Sequence, residues 1–454
     1  IELPDNLFHN VEKNKAGDMG TGILDVFDRY NFTIKEDEPL EKEVAVDPEM
    51  LGKVFENMLE ITERKSKGAF YTPREIVHYM CQESLIHYLD NRLNQYATAT
   101  YDIGSPQASL FGNDDAQGQL SLIETNEKIL VPRGDLETLI RKGHLALEND
   151  TRVISKGKET DTYKFQLPEA VRQHAKAIDE ALADIKVCDP AIGSGAFPVG
   201  LLHEIVNIRL ALAPHSGIVH SAYELKRHAI GESLYGVDID ASAIDIARLR
   251  LWLSLIVDED DYGRIEALPN LDYKIVRGSS LIGFPENWKS PAFDKIEALK
   301  KQFFAETDHA NKMALKVQID EEIQQRLNGS MQTFGWRVDF DFRLFFSEVW
   351  HQKGGFDVVI GNPPYVQIQN YSGQQVQKDW EAQKFESFAK TGDIYCLFYE
   401  KGYRLLRDTG VLAFITSNKW MRAGYGEKLR RFFSEKTQPL TLIDFSSFQV
   451  FETA

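Results

Sequence analysis

The sequence predicts an α/β fold built on a largely parallel sheet, and three observations carry that expectation. Short apolar runs of strand type occur at residues 185–188, 234–237, 274–276, 356–360 and 411–416. Helical stretches separate them, and strands that alternate with helices pair in parallel through crossovers. The first run ends in the glycine turn Gly193-Ser194-Gly195, and the next two strand-to-loop junctions also carry small or acidic residues. Such junctions put ligand-binding groups at the carboxyl edge of an open sheet.

Taken in order, the chain reads as three parts: residues 1–92, 93–183 and 184–454. Residues 1–45 are polar and irregular, with a glycine-rich stretch at 16–22. A helix is expected from Asp47, with Pro48 in its first turn and Leu51, Val54, Phe55, Met58 and Leu59 at helical spacing. A second helix opens at Thr72-Pro73-Arg74-Glu75, which reads as a capping box with Pro in the first turn. Residues 93–183 are rich in Gln, Asn, Asp and Gly and read as a polar insertion with some helix near 168–184. The α/β domain occupies 184–454. A charged helical insertion at about 290–345 interrupts it, and its Lys and Glu residues read as a solvated face.

Composition excludes several classes of protein. Hydrophobic residues make up 43% and charged residues 27% of the 454, enough apolar content for a sizeable core. No apolar run reaches the roughly 18 residues that span a bilayer, and the amino end shows no secretory pattern. No membrane association is expected. Cys81, Cys188 and Cys396 are too few and too scattered for a disulfide framework or a zinc site, so a reducing cytoplasm is the expected location. The net charge of −17 predicts weak binding to nucleic acid by this chain alone.

Three motifs carry chemistry. In Asp189-Pro190-Ala191-Ile192-Gly193-Ser194-Gly195-Ala196-Phe197 a strand passes through a glycine loop into an apolar helix containing Leu201, Leu202, Ile205 and Val206. The glycines allow close backbone approach to a ligand. Pro198 stands where a dinucleotide fingerprint has its third glycine, and no Gly-Lys-Ser/Thr follows, so neither a dinucleotide nor a phosphate loop is indicated. In Gly236-Val237-Asp238-Ile239-Asp240 an acid closes the second strand, where it can accept from two ribose hydroxyls. Asp240 reads as a helix N-cap, whereas Asp238 has no evident local task. The interval from Asp189 exceeds the roughly 20 residues of a compact nucleotide-binding unit, and the segment 213–217 reads as the inserted loop. Finally, the buried strand 356–360 delivers Gly361-Asn362-Pro363-Pro364-Tyr365 to the sheet edge. Consecutive prolines fix the backbone and leave carbonyl acceptors. The Asn362 oxygen and the Pro363 carbonyl then present two acceptors to one amine, and Tyr365 offers a face for stacking a base.

Together these motifs resemble the gamma class of amino-methyltransferases acting on DNA adenine. Lys67-Gly68-Ala69-Phe70-Tyr71-Thr72-Pro73 is similar to that class's amino-terminal cofactor motif. The helix ahead of it resembles type IIG restriction–modification enzymes and methyltransferases of phage-defence systems. The resemblance implies an S-adenosylmethionine-dependent methyltransferase sheet, Rossmann-like, with a helical amino-terminal region and insertions. It implies that Tyr71, Thr72 and Pro73 meet the methionine carboxylate of S-adenosylmethionine. Asp189, Pro190, Ala191, Gly193 and Gly195 would bracket the methionine, Asp238 would hold the ribose, and Ile239 and Phe398 would sandwich the adenine. Ser279 stands where the class usually has Asp or Asn against the adenine amine. Asn362, Pro363, Pro364 and Tyr365 would form the catalytic loop around a flipped adenine, with no metal required. The implied partners are double-stranded DNA, read by a target-recognition region expected beyond the end of this chain, and a nuclease domain or subunit. Phe451 would be either a wall of the base pocket or core. Asp161-Thr162-Tyr163-Lys164 is only a chance-level match to a nuclease constellation. Rival readings are methyl transfer to protein glutamine or RNA, and a silent scaffold within a restriction complex.

Overall fold

The computed structural model describes residues 31–33, 43–45, 72–94, 128–156, 165–218, 220–256, 269–288, 292–446 and 450. The expected helix at 47–59, Tyr71 with the rest of 67–71, the stretch 161–164 and Phe451 lie outside the described residues. Within the region read as irregular, β1 (Asn31–Thr33) pairs in parallel with β2 (Glu43–Ala45).

The main sheet has five parallel strands: β3 (Val187–Asp189), β4 (Leu234–Asp238), β5 (Ile275–Arg277), β6 (Phe356–Gly361) and β7 (Leu406–Phe414). All five expected strands are present, in the order β5-β4-β3-β6-β7. The chain thus winds outward in one direction from β3 to β5 and in the other from β6 to β7. The reversal falls between β3 and β6, and a crevice for ligands opens at the carboxyl ends of strands at such a switch point. Successive side chains of a strand point to opposite faces, and the two faces here bury different clusters. Val187, Leu234, Ile275, Val358 and Ile360 enter the larger core, while Cys188, Tyr235, Val237, Val276 and Val359 enter a second, aromatic core with Phe340, Phe346 and Phe356. Burial on both faces explains why these strands read as continuous apolar runs rather than as alternating ones.

The larger core is closed by α1 (Arg74–Leu93), α2 (Arg133–Lys156), α3 (Ala175–Asp184), α4 (Ala196–Ser216) and α5 (Ala241–Ile256). Two of these, α2 and α3, fall in the stretch read as a polar insertion, yet Leu136, Leu139, Ile140, Ile178 and Leu182 are buried in that core. Helix α4 is apolar nearly all round, and by length and composition alone it would be long enough to cross a membrane. In the fold 72% of that apolar window is buried inside the protein, so the apolarity belongs to packing. Sequence reading missed it because Glu204 and Arg209 interrupt the run; both are buried, and Arg209 pairs with Asp179 of α3 at 2.8 Å.

Two further expectations need correction. The segment 213–217 is no inserted loop: α4 continues through Pro214, and Gly217 caps it in the left-handed conformation. The long interval between the acids is filled by helix, including the short Ala222–His228. The capping box at Thr72 is absent as well. Pro73 takes the N-cap position of α1 with no side-chain cap bond, because the Thr72 hydroxyl is turned toward another partner. The charged insertion forms α6 (Ala292–Ala305) and α7 (His309–Asn328). Most of its charged residues face outward, but Glu297 and Lys300 are buried, and Ile296, Phe303, Ile319 and Ile323 build a small core with Tyr273 and Phe284.

Candidate active site

Five segments meet at the carboxyl edge of the sheet. The glycine loop after β3 turns through Gly193 (φ 52°) and Gly195 (φ 86°), a region open to glycine but strained for other residues. An added Cβ at Gly195 would stand 3.1 Å from that of Ala247, so α4 and α5 close tightly there. Arg250, fully buried on α5, holds the same loop by donating to the Ser194 carbonyl at 2.8 Å and its hydroxyl at 3.2 Å. Ser280, just past β5, donates to the Pro190 carbonyl at 2.6 Å.

Two carboxylates flank the loop, and they are held differently. Asp189 is buried: one oxygen accepts from the Ala191 amide at 3.0 Å, and the other, Oδ2, is buried with no partner. Loss of solvent raises its pKa well above the carboxylate range, and the nearby Asp238 charge adds to this. Asp238 at the end of β4 accepts from the Gly193 amide and the Asp240 amide, each at 2.9 Å. Its pKa is also raised by desolvation, with those two bonds opposing the shift. The reading that Asp238 has no local task is therefore corrected, since it ties the glycine loop to the end of β4. Asp240 caps α5 as expected, accepting from the Ser242 amide at 2.8 Å.

Next to Asp238, Ile239 is 68% exposed, an unusual position for an isoleucine at a strand end. Phe398, paired with it by sequence reading, lies on α8 (Tyr395–Leu405) and is 6% exposed in a cluster with Leu281, Ile282 and Leu397. Ala191 of the glycine loop packs against that cluster. The two hydrophobics therefore do not form matching open walls: one stands free and the other is core. Ser279 is half-buried, and its amide donates to the Asp339 carboxylate at 3.3 Å.

Across the switch point, Gly361 closes β6 so near to β3 that a Cβ on it would lie 2.6 Å from Asp189 Oδ1. Asn362 follows. Its Nδ2 donates to the Thr72 hydroxyl at 3.1 Å, bringing together residues 290 apart in the chain. Its Oδ1 accepts from the Tyr365 hydroxyl at 2.6 Å, and that hydroxyl also approaches the Ile415 carbonyl at 3.1 Å. Burial pushes the phenol of Tyr365 far above its usual range, so it remains a neutral donor. Its ring packs edge-on to Tyr395, with centroids 6.1 Å apart. Sequence reading gave Oδ1 to an incoming amine and the Tyr365 ring to an incoming base; here a side chain holds the first and a side chain edges the second. Pro363 is buried and Pro364 half-buried beside them.

An open groove of about 2480 Å³ starts at Tyr365 and passes Ile415–Trp420, α1 and the free edge of β7. None of Asp189, Gly193, Asp238 or Asn362 lines it, so it meets the site only at the tyrosine end. The basic side chains between residues 419 and 431 do not form one patch. Lys428 donates to the Phe388 carbonyl, Arg430 to the Trp420 and Ala423 carbonyls, and Arg431 pairs with Glu435. Lys419 and Arg422 are exposed around a small pocket with Tyr425.

Of the sequence-derived set, the structure gathers Thr72, Asp189, Gly193, Gly195, Asp238, Ile239, Ser279 and 362–365 at one edge. It adds two residues that the sequence did not single out. Arg250 falls on the face of α5 that also carries Ala247 and Leu251, and a basic residue in an apolar stripe was the available signal. Asp339 left none, since it reaches the site from a distant loop.

Residues 232–451 match the Eco57I restriction-modification methylase family. The Methanocaldococcus jannaschii protein RM.MjaORFECS2P is 24% identical over 91% of this chain and 37% of its own length. The Escherichia coli type II restriction enzyme and methyltransferase RM.Eco57I is 24% identical over 75% of this chain and 30% of its own. The adenine-specific methyltransferase BrxX of Escherichia coli is 21% identical over 61% of this chain and 25% of its own. The chain thus spans between a quarter and somewhat more than a third of the length of these relatives. The type IIL restriction-modification enzyme MmeI, solved in complex with DNA, aligns over 87% of this chain and 36% of its own at 12% identity, with a TM-score of 0.42. On the match at 232–451, this chain carries an Eco57I-type restriction-modification methylase domain.

Proposed function

We propose that this chain is the catalytic part of an enzyme that transfers a methyl group from S-adenosylmethionine to the exocyclic amine of adenine in double-stranded DNA, in a restriction–modification or phage-defence system. The observation that carries the proposal is the convergence of Asn362, Thr72 and Asp189 across the β3–β6 switch point. The names of RM.Eco57I and BrxX point to the same chemistry.

The residues present fit the cofactor. Asp189 Oδ2 is a buried acceptor without a donor, suited to an ammonium. Nothing lies within 4 Å of the position a Cβ would take on Gly193, so the loop leaves open space there. Asp238 retains unused lone pairs for ribose hydroxyls, and exposed Ile239 offers an apolar seat for a base. When bound, S-adenosylmethionine supplies an electrophilic methyl group.

The chain's own task is to make a poor nucleophile competent. An adenine amine delocalises its lone pair into the ring, and acceptors at Asn362 Oδ1 and the Pro363 carbonyl draw its two hydrogens out of plane. That localises the lone pair and stabilises the positive charge that develops on nitrogen. The Thr72 hydroxyl fixes which end of the Asn362 amide faces the amine, since it accepts from Nδ2. Adenine inside a duplex hides this amine, so the base is flipped out of the stack at a cost of about a few kcal/mol. Tyr365 at the mouth of the groove is the stacking surface that repays part of it, roughly 1–3 kcal/mol. Target recognition and any nuclease are supplied by regions or subunits other than the residues described here.

The test is transfer of tritiated methyl to unmethylated genomic DNA, with mass spectrometry of the nucleosides. N6-methyladenine is expected. Methylcytosine as product, or label in protein or RNA instead of DNA, would overturn the proposal.

A further inference from the structure

We infer that Asp339, contributed by the loop after the helical insertion, recognises the amino group of the cofactor's adenine. The inference rests on the reading of this edge as an S-adenosylmethionine site. Register pairs Asp238 with Arg277, so Ile239 and the Gly278–Ser279 turn lie side by side on neighbouring strands, about 4.8 Å apart. The two ends are joined: the Gly278 amide donates to the Asp238 carbonyl at 2.8 Å, and Arg277 Nε to the Ile239 carbonyl at 3.1 Å. A nucleoside with its ribose at Asp238 and its base on Ile239 therefore directs the outer edge of that base over Gly278–Ser279.

The group standing there is Asp339. The segment 338–341 is pressed onto the turn, since a Cβ on Gly278 would fall 2.3 Å from that of Phe340, and Phe340 is itself fully buried in the aromatic core. Val338 and Asp341 fix the flanks: the Val338 amide donates to the Ser330 hydroxyl at 2.9 Å, and Asp341 accepts from the Phe284 amide at 2.9 Å. Between these buried anchors Asp339 is exposed, and one of its oxygens accepts from the Ser279 amide at 3.3 Å. It has no ion-pair partner among the described residues. A carboxylate on an exposed residue at the edge of a base seat, bonded through one oxygen, is an acceptor for an N–H donor. Adenine presents such a donor at its amino group. The Ser279 hydroxyl is a weaker acceptor in the same place, because a charged acceptor makes the stronger bond.

The experiment compares two ligands on the purified protein by calorimetric titration: S-adenosylhomocysteine, and its analogue with hydrogen in place of the 6-amino group. Wild type is expected to favour the amino form by about tenfold, the scale of one charge-assisted hydrogen bond. Asp339→Ala should bind the two ligands equally, with the loss confined to the amino form, and Asp339→Asn should retain part of the preference through its amide oxygen. Asp339→Ala with the wild-type preference intact would overturn the inference, as would equal weakening toward both ligands. Loss of preference in Ser279→Ala but not in Asp339→Ala would transfer the role to Ser279 and overturn it too. No binding of either ligand by wild type would instead defeat the underlying reading of the site, so the two failures are distinguishable.

Discussion

The two halves of the sheet edge are prepared to different degrees. On the side of β3, β4 and β5 the loop geometry is set by the protein's own bonds: Arg250 and Ser280 hold the glycine turn, and Asp238 clamps it to β4. What remains for a ligand is an unpartnered buried oxygen on Asp189 and an exposed Ile239. On the side of β6 and β7 both ends of the Asn362 amide are already engaged, by Thr72 and by Tyr365. The first half leaves an acceptor and an apolar side chain open, and the second is a satisfied network. A buried polar network is costly when partly satisfied, so a catalytic amide without substrate is best kept bonded. The difference predicts that a cofactor docks with little rearrangement, whereas a base must share or displace the Tyr365 hydroxyl.

The largest effect should come from the satisfied half. Asn362→Ala is expected to lower methyl transfer by at least roughly 10²–10³-fold, the scale seen on removing a transition-state donor elsewhere. Cofactor affinity should be nearly unchanged, because the bonds of the Asn362 side chain among the described residues go to Thr72 and Tyr365 and not to the β3–β4 loops. Rates are read from tritium incorporation and affinity from calorimetry; a variant that lost both equally would show that the halves are not separable.

Asp238→Ala comes next and should reverse that pattern. Two ribose hydrogen bonds at about 0.5–1.5 kcal/mol each amount to roughly tenfold or more in affinity. The Gly193 and Asp240 amides also lose their acceptor, so the melting temperature of the ligand-free protein should fall as well. Weaker binding without any thermal loss would mean that the clamp on the glycine loop contributes nothing.

Legibility differed between the halves for a physical reason. Strand positions and the glycine loop were readable because burial on both faces forces apolar runs and because Gly193 and Gly195 occupy a backbone region other residues avoid. The second task of Asp238 was not, since an acceptor bonded to an amide in another segment leaves no local pattern. The same holds for Thr72, which reads as a helix cap until Asn362 is placed against it. Phe398 was placed against the adenine by resemblance alone, which cannot tell which neighbour covers a side chain, and here it is buried. Helix α3 was expected near 168–184, whereas α2 was hidden by the polar residues around it, although Leu136, Leu139 and Ile140 repeat at helical spacing.

Tyr365→Phe sharpens the comparison further. It removes the donor to Asn362 Oδ1 and leaves the ring. A net hydrogen bond is worth about 1 kcal/mol, and a small thermal loss of that order is expected. Turnover should fall far less than in Asn362→Ala, because the ring still stacks a base. A rate as low as that of Asn362→Ala would make the hydroxyl part of the chemistry rather than a placeholder for the amine.

The smallest effect, and the one of opposite sign, is expected at Asp189. Burial raises the pKa of its carboxyl well above the unfolded value, so the folded protein binds this proton more tightly than the unfolded chain does. Stability from this group is then fully present below the unfolded pKa of about 4 and is lost as pH rises through the higher folded one. Above that raised pKa the carboxylate is ionised and desolvated, and its Oδ2 has no donor among the described residues. Asp189→Asn keeps the acceptor for the Ala191 amide and removes that charge. Without cofactor the variant should therefore melt higher than wild type at pH values above that pKa, by about 1 °C, a shift corresponding to roughly 1 kcal/mol in a chain of this length. The gain should shrink as pH is lowered toward 4, where the wild-type carboxyl is itself neutral. Cofactor affinity should move the other way, because the lone acceptor suited to an ammonium is gone. Melting curves from pH 5 to 8, with and without S-adenosylhomocysteine, decide the matter. Wild type as stable as Asp189→Asn at every pH would mean that the unpartnered oxygen of Asp189 costs the fold nothing, and the contrast between the two halves of the edge would fail at its central residue.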